Sequence, residues 1–396
     1  MPDFLETAVR LIRFEFSEGD SGWALPGMDF DPGLNLLVGV SGVGKTRILK
    51  SLFEVVRAAR SRATELWGAS WSLLFQIGDG KTYKWSASLE AQPDGSAGVG
   101  QEMEPGADVR RARPQPKFLS ESLACVGGEV LVERESENIR LRGKETPKLS
   151  PDESVLFLLR EEDAIRDVSR SFDRVVFTDH SSSMNRLLAV SSSTVERFKG
   201  EVGDHSVESL RNTQASTTEK MVLLQESHAD EFQSLVGRFI EVFPSIEKVA
   251  YEQERDFRLR PTWVLKIKER GVRNWIPRNR ISSGMYTTWM HLGRLAVWPD
   301  GTVYLIDEFE TSLGVNCIDF ITEDVVNESR RMQFVITSHH PYIINNIDPK
   351  YWKLVSRTGS VVGVVDAMVG SSDKSSHDEF IKLINSDKYR NGIASI

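Results

Sequence analysis

The sequence has few cysteines, no long apolar run and no excess of basic residues. Its two cysteines, Cys125 and Cys317, fit a reducing compartment, and neither has a neighbour at metal-ligand spacing. No apolar stretch is long enough to cross a bilayer and no basic–apolar signal segment follows Met1, so we expect a cytoplasmic protein without membrane contact. The formal net charge of −8 disfavours a strong, nonspecific DNA clamp, although a local basic patch could persist.

A glycine-rich segment near the start of the chain matches the phosphate-binding P-loop. Residues 39–46 read GVSGVGKT, with the apolar run 34–38 before them and the helical-looking stretch 48–56 after them. These flanks disfavour a chance glycine-rich turn. Backbone N–H groups would bind phosphates, Lys45 would reach the β- and γ-phosphates, and the Thr46 hydroxyl would ligate Mg²⁺. We therefore predict ATP and Mg²⁺ as ligands, with nucleotide contacts from Gly39, Ser41, Gly42, Gly44, Lys45 and Thr46.

Two further apolar runs end in residues that suit the same site. The run 303–306 leads into Asp307 and Glu308. The first carboxylate of such a pair holds Mg²⁺, and the second polarises the attacking water as a general base. Beside a P-loop we prefer this interpretation to a solvated acidic turn. The run 334–337 is followed by Ser338 and then His339, which is placed to contact a γ-phosphate because α/β sheets bind ligands at this edge.

A serine- and glycine-rich segment lies between the P-loop and the Asp-Glu pair. Residues 281–285 read ISSGM and precede a stretch, 286–297, whose apolar residues recur at helical spacing. Ser282, Ser283 and Gly284 at a helix start would form an anion-binding N-terminus. A Ser-Gly turn that caps an ordinary helix would look the same. The position of the segment favours the nucleotide-binding interpretation.

In this order the motifs resemble an ABC-type ATPase head, the group that includes SMC, RecF and OLD-like proteins. The resemblance rests on the P-loop, ISSG at 281–284, LIDE at 305–308, SLG at 312–314 and TSH at 337–339. It implies that Ser282 and Gly284 are signature residues that complete the site of a neighbouring subunit, and therefore an ATP-dependent homo-oligomer. It also implies that 312–314 is the D-loop and that His339 is the switch histidine.

Residues 306–316 look most like the ATPase subunits of bacterial anti-phage systems, such as PtuA of Septu and AriA of PARIS. The chain departs from transporter ATPases at Met285, where Glu or Gln is usual, and at Gly314, where Asp is common. OLD nucleases carry a metal-dependent TOPRIM domain behind the ATPase. Here the stretch after His339 is short for a domain and lacks a Glu with a downstream Asp-x-Asp, so we expect that the chain is not itself a nuclease.

The predicted fold class is α/β: an ABC-type P-loop NTPase head with a mixed β-sheet core, an antiparallel β lobe and a short helical insertion. Strand-like runs at 71–76 and 81–89, separated by Gly-Asp-Gly, predict a hairpin in the β lobe. The helical stretch 193–243 is too short, and lacks the sustained heptads, for SMC-type coiled-coil arms. The predicted parts are 1–180 (N-terminal head with P-loop and β lobe), 181–245 (helical insertion) and 246–396 (C-terminal head).

The densest basic region surrounds the predicted strand 263–268 and leaves two interpretations open. It could face nucleic acid or an acidic partner surface, or it could be a solvated sheet face. Its members are Arg255, Arg258, Arg260, Lys266, Lys268, Arg270, Arg273, Arg278 and Arg280.

The leading hypothesis is a Mg²⁺-dependent ATPase that acts as sensor or scaffold in a bacterial anti-phage complex and controls a separately encoded effector, a nuclease or toxin. Its catalytic residues would be Lys45, Glu308 and His339, with Thr46 and Asp307 as metal ligands. The alternative is a RecF-like DNA repair or recombination ATPase, which predicts hydrolysis stimulated by DNA and binding that falls steeply with salt. A transporter ATPase subunit ranks last because it would need a membrane partner.

Overall fold

The computed structural model describes residues 8–60, 66–93, 115–179, 189–202, 206–256, 258–276, 280–367 and 393–394. The chain divides into two compact units that interleave along the sequence. Unit 1 comprises Met1–Thr178, Gly301–Asp307 and Arg331–Ile396, and unit 2 comprises Asp179–Asp300 and Glu308–Arg330. The described residues include no helix that is both long and apolar enough to cross a membrane.

The strands are β1 (Val9–Glu18), β2 (Ala24–Asp29), β3 (Leu34–Val38), β4 (Ala69–Ile77), β5 (Thr82–Leu89), β6 (Phe118–Cys125), β7 (Val130–Glu135), β8 (Asn138–Leu141), β9 (Lys144–Glu145), β10 (Val175–Asp179), β11 (Ala189–Ser191), β12 (Ile246–Arg255), β13 (Pro261–Glu269), β14 (Val303–Asp307), β15 (Gln333–Thr337), β16 (Trp352–Thr358), β17 (Val361–Asp366) and β18 (Ile393–Ala394). The helices are α1 (Lys45–Arg60), α2 (Val155–Leu158), α3 (Arg166–Ser171), α4 (Ser192–Glu201), α5 (Val207–Asn212), α6 (Thr217–Ser227), α7 (Ala229–Val242), α8 (Ser283–Val297), α9 (Val315–Glu328) and α10 (Pro341–Asn346).

Unit 1 is built on a large mixed sheet with the strand order β10-β14-β15-β3-β16-β17-β2-β1-β4-β5-β6-β7-β8-β9. Its centre is parallel: β14 pairs with β15, β15 with β3, and β3 with β16. Every residue of β3, β14 and β15 is buried, as expected for parallel strands covered on both faces. The predicted strands at 34–38, 303–306 and 334–337 are present as β3, β14 and β15. Their C-terminal ends therefore meet at one edge of the sheet.

The other half of this sheet is the predicted antiparallel β lobe. From β1 through β4 to β9, neighbouring strands pair antiparallel. Strand β4 alternates strictly between buried and half-buried residues, which is typical of a strand with one face on the core. The predicted hairpin between β4 and β5 is present, and Gly80 adopts a φ of 80° at its turn. The α/β class with a mixed sheet and an antiparallel lobe is thus confirmed.

Unit 2 combines helices with a small antiparallel sheet of order β11-β13-β12. Trp289 of α8 is fully buried and its Nε1 donates to the Tyr251 hydroxyl of β12 at 3.0 Å. Phe232 and Phe239 of α7 meet the same indole edge-on. Unit 2 is therefore larger than the helical insertion predicted at 181–245, because β12, β13, α8 and α9 share its core.

In unit 2, helices α5, α6 and α8 begin after serines whose side chains accept from a backbone N–H of the first turn. Ser216 caps α6 in a reciprocal capping box with Glu219. Ser206 caps α5, accepting from the backbone N–H of Ser209 at 3.1 Å. The short helices α4 to α7 form a compact helical lobe in which α7, the longest of them, has 14 residues.

Candidate nucleotide-binding site

The loop between β3 and α1 has a geometry that requires glycine. A Cβ on Gly39 would lie 2.5 Å from the carbonyl oxygen of Val355, so no larger residue fits there. Gly42 and Gly44 adopt φ values of 84° and 112°, which favour glycine because it has no Cβ. Val43 is fully buried and anchors the loop to the core of unit 1. The structure therefore places the predicted phosphate-binding segment directly between a buried strand and the start of a helix.

Lys45 is the first residue of α1, and its side chain turns back over the loop. Its Nζ donates to the carbonyl oxygens of Gly39 at 2.6 Å and Val40 at 3.1 Å. An ammonium group in this position lies over the beginning of the loop, at a helix N-terminus whose free N–H groups attract anions. Ser41, at the tip of the loop, is exposed.

The predicted metal ligands come together although 261 positions separate them in the sequence. The Thr46 hydroxyl on α1 donates to Oδ1 of Asp307, at the end of β14, at 3.0 Å. The same Oδ1 accepts from the Thr337 hydroxyl at the end of β15 at 2.7 Å. Asp307 is only 4% exposed, so these hydroxyls fix the orientation of a buried carboxylate.

This arrangement fits Mg²⁺. A hydroxyl and a carboxylate are hard oxygen donors, and Mg²⁺ is usually bound by one or two carboxylates together with substrate phosphates. Thr46 and Asp307 supply one of each, 3.0 Å apart, beside a loop shaped by glycine. These two residues would hold the ion, with Thr337 orienting the carboxylate.

Thr337 is the part of this cluster for which the sequence predicted no role, although it belongs to the TSH run at 337–339. It lay inside the strand predicted at 334–337, but a threonine in a strand is ordinary because β-branched residues suit strands. Besides its place in the TSH run, its position was a signal, since it is the last residue of a strand in a parallel sheet, where ligands are bound.

Glu308 follows Asp307 directly and begins the next part of unit 2. Its φ of 50° is unusual for a residue other than glycine, and such conformations concentrate at functional sites. The Thr311 hydroxyl donates to its Oε2 at 3.1 Å, and the Thr311 N–H donates to its carbonyl oxygen at 2.8 Å. A tight turn therefore orients the exposed carboxylate of Glu308.

The predicted signature segment forms the start of α8, as expected. Ser282 is the N-cap, and its Oγ accepts from the backbone N–H of Met285 at 3.1 Å. It therefore performs the capping role that the sequence left open as an alternative. Ser283 and Gly284 are the first helical residues, and a Cβ on Gly284 would lie 3.3 Å from the carbonyl oxygen of Ser312 in the predicted D-loop.

The residues after β15 have distinct environments. Ser338 is buried and its Oγ accepts from the backbone N–H of His340 at 3.1 Å. His340 in turn caps α10, because its Nδ1 accepts from the backbone N–H of Tyr342 at 3.3 Å. His339, the predicted switch histidine, is exposed. Of this histidine pair, His340 caps a helix and His339 is the more exposed member.

Part of the basic region is neutralised within unit 2. Lys266 pairs with Glu254, and Lys268 lies 3.2 Å from Glu247. Arg260 pairs with Asp256 at 2.9 Å. These contacts favour the interpretation as a solvated sheet face for the strand itself. Arg278 lies outside the described residues.

No protein-family model and no curated protein matches the chain. Among solved structures, an SMC head bound to the C-terminal winged-helix domain of ScpA is similar at 14% sequence identity and a TM-score of 0.48, covering 90% of this chain and 97% of that one. The Smc head domain of Pyrococcus furiosus, with an extended coiled coil and bound to the C-terminal domain of ScpA, matches at 12% identity and a TM-score of 0.49. The match covers 95% of this chain and 99% of that one. The SMC head domain of Thermotoga maritima matches at 13% identity and a TM-score of 0.38, covering 91% of this chain and 100% of that one. The likeness is one of fold, at low sequence identity.

Proposed function

We propose that this chain binds Mg²⁺-ATP on the loop 39–46 and hydrolyses it. The observation that carries the proposal is the hydrogen bond between Thr46 and Asp307, because it joins the helix after the loop to the end of β14, a parallel strand of the same sheet. A hydroxyl and a buried carboxylate at this edge of an α/β sheet are the groups expected to bind the metal ion in a P-loop site.

Each residue has a separate role in the proposed reaction. Lys45 would exchange the carbonyl oxygens of Gly39 and Val40 for β- and γ-phosphate oxygens. Mg²⁺, held by Thr46 and Asp307, would neutralise charge on the phosphates. The Glu308 carboxylate, oriented by Thr311, would take a proton from the attacking water. His339 would contact the γ-phosphate.

Phosphate release from Mg²⁺-ATP tests this proposal. Lys45→Ala should abolish nucleotide binding, whereas Glu308→Gln should retain binding and reduce hydrolysis by at least about 100-fold, since general bases contribute about 10²–10⁴ in rate. Lys50→Ala is a matched control, because Lys50 is an exposed lysine on the same helix. Hydrolysis by the purified chain that survives both site substitutions at the wild-type rate would contradict the proposal.

We further propose that ATP drives association with a second copy, and that the ATP-bound form controls a separately encoded effector in an anti-phage complex. The motif resemblance at 306–316 supports the defence role. The compact helices α4 to α7 also favour a small ATPase that handles a partner protein over one that bridges chromosomes with coiled-coil arms. Ser282, Ser283 and Gly284 would then complete the nucleotide site of the other copy.

Mass spectrometry of proteins retained by tagged Glu308→Gln chain in its native host tests this role. A stoichiometric nuclease or toxin-like partner, absent when Lys45→Ala is added to the same chain, supports effector control. Recombination proteins recovered with bound DNA, and no effector, would instead favour a RecF-like repair function.

A further inference from the structure

A planar cation lies beside the loop in a network of four side chains in unit 1. The Arg47 guanidinium stacks on the Trp23 indole, with its central carbon 4.6 Å from the ring centroid. Its Nη2 donates to Glu18 and, at 2.9 Å, to the Ser21 hydroxyl. Ser21 also donates to Glu18 at 2.8 Å and accepts from the Trp23 backbone N–H at 3.2 Å. The guanidinium is therefore held by a stack on one face and by two hydrogen bonds from Nη2.

The indole in this network borders the loop itself. Trp23 is 1% exposed, and its Nε1 would lie 3.8 Å from a Cβ placed on Gly44. Within the described part of the chain, this Nε1 is buried and has no hydrogen-bond acceptor. Val362 packs against the same side of Gly44. Trp23 and Val362 thus form a wall at the end of the loop where α1 begins.

The two ends of the loop correspond to the two ends of a nucleotide. The lysine of a P-loop reaches the β- and γ-phosphates, and Lys45 Nζ lies at Gly39 and Val40, at the beginning of the loop. The opposite end, Gly44 and the first turn of α1, is therefore left for the α-phosphate and the attached nucleoside. Arg47 belongs to that first turn.

We propose that Arg47 is a further nucleotide-binding residue whose outer guanidinium face stacks on the nucleobase. The inference rests on the proposed nucleotide-binding function. The Arg47 side chain is 39% exposed, so the face opposite Trp23 is accessible. Guanidinium groups stack on aromatic planes, and a cation between two π-systems is attracted to both. An exposed Arg–Glu pair contributes little stability, so the network serves to orient Arg47.

Calorimetric titration with Mg²⁺-ATP and with Mg²⁺-tripolyphosphate tests the assignment, because tripolyphosphate has no base. All variants are made in a Glu308→Gln background to suppress turnover. Arg47→Ala should weaken ATP binding by about tenfold and leave tripolyphosphate binding within about twofold. Arg47→Lys keeps the positive charge but has no planar guanidinium group. It should weaken ATP binding about as much as Arg47→Ala does.

Arg57→Ala is the control, because Arg57 is an exposed arginine on the same helix that pairs with Glu54 at 2.7 Å. Arg57→Ala should leave the affinities for Mg²⁺-ATP and for Mg²⁺-tripolyphosphate unchanged. Unchanged ATP binding in Arg47→Ala, or equal losses for ATP and tripolyphosphate, would overturn the stacking assignment. Failure of the Glu308→Gln parent to bind ATP at all would instead overturn the proposed function.

Discussion

Asp307 is oriented by threonine hydroxyls from two different elements, and both contacts fall on the same carboxylate oxygen. If Asp307 binds Mg²⁺ as proposed, such outer contacts would fix the ligand in advance and so reduce the cost of ordering the site. Because Thr337 is buried, its hydroxyl cannot be replaced by bulk water without a change in packing.

Thr337→Val should therefore weaken activation by Mg²⁺. Partners of metal ligands typically affect metal affinity by about 10- to 100-fold, and we expect the Mg²⁺ concentration for half-maximal ATP hydrolysis to rise within that range. Thr322→Val is the control, since the Thr322 hydroxyl is also buried but has no hydrogen-bond partner within the described residues. Equal Mg²⁺ requirements in both variants would show that Thr337 has no role in orienting Asp307.

At the scale of elements, a buried ion pair connects the β lobe to the segment before α2. Glu121 of β6 and Arg134 of β7 are both buried, and Arg134 Nη1 lies 3.7 Å from Glu121 Oε2. Glu121 accepts from Trp85 Nε1 at 3.0 Å and from the Val155 N–H at 2.8 Å. Arg134 donates to the carbonyl oxygens of Glu153 at 2.7 Å and Ser150 at 2.9 Å.

Glu121→Gln should destabilise the chain by about 3–5 kcal/mol, because it leaves the buried Arg134 charge without its counter-ion. The measurement is the free energy of unfolding in urea. Glu133→Gln removes an exposed partner of Arg140 in the same lobe and should cost less than about 1 kcal/mol. If Glu121→Gln lowers the free energy of unfolding as little as Glu133→Gln does, the Glu121–Arg134 ion pair does not hold these elements together.

Helix α9 carries a buried carboxylate that makes unit 2 sensitive to pH. Burial raises the pKa of Asp324 to about 6, although Arg238 on α7 opposes the shift. A raised folded-state pKa favours the protonated form, so its stabilising contribution is present below pH 4 and is lost as pH rises through about 6.

The difference in unfolding free energy between wild type and Asp324→Asn, measured against pH, tests the direction of this pH dependence. It should fall by at most about 3 kcal/mol between pH 4 and pH 7, which corresponds to the shift in pKa. Thermal unfolding at several pH values provides the measurement. A difference that rises with pH would show that the ion pair with Arg238 outweighs burial.

At the scale of the whole molecule, the proposed association depends on ATP and on the start of α8. Glu308→Gln with Mg²⁺-ATP should form a dimer by light scattering, and Ser282→Arg in that background should abolish the dimer while nucleotide binding persists. Ser216→Arg is a matched control, because Ser216 is another exposed N-cap serine in unit 2. A Glu308→Gln chain that stays monomeric with ATP would contradict the proposed ATP-driven association of two copies.

The sequence by itself determined the local parts of this protein. The loop 39–46, the buried strands and the capped start of α8 are encoded by contiguous residues whose periodicity and backbone requirements are local. The central strand β3 begins and ends where the apolar run does. This is why the α/β class and the positions of the motifs could be predicted.

Only the tertiary structure decided how distant residues combine. Thr337 joins Asp307, Arg47 stacks on Trp23, and Lys266 pairs with Glu254 through contacts that no local pattern encodes. The extent of unit 2 was likewise set by a shared core around Trp289, which contacts α7 and β12. Contacts of this kind depend on the folded arrangement of elements, because side-chain packing and hydrogen bonding act across space and not along the chain.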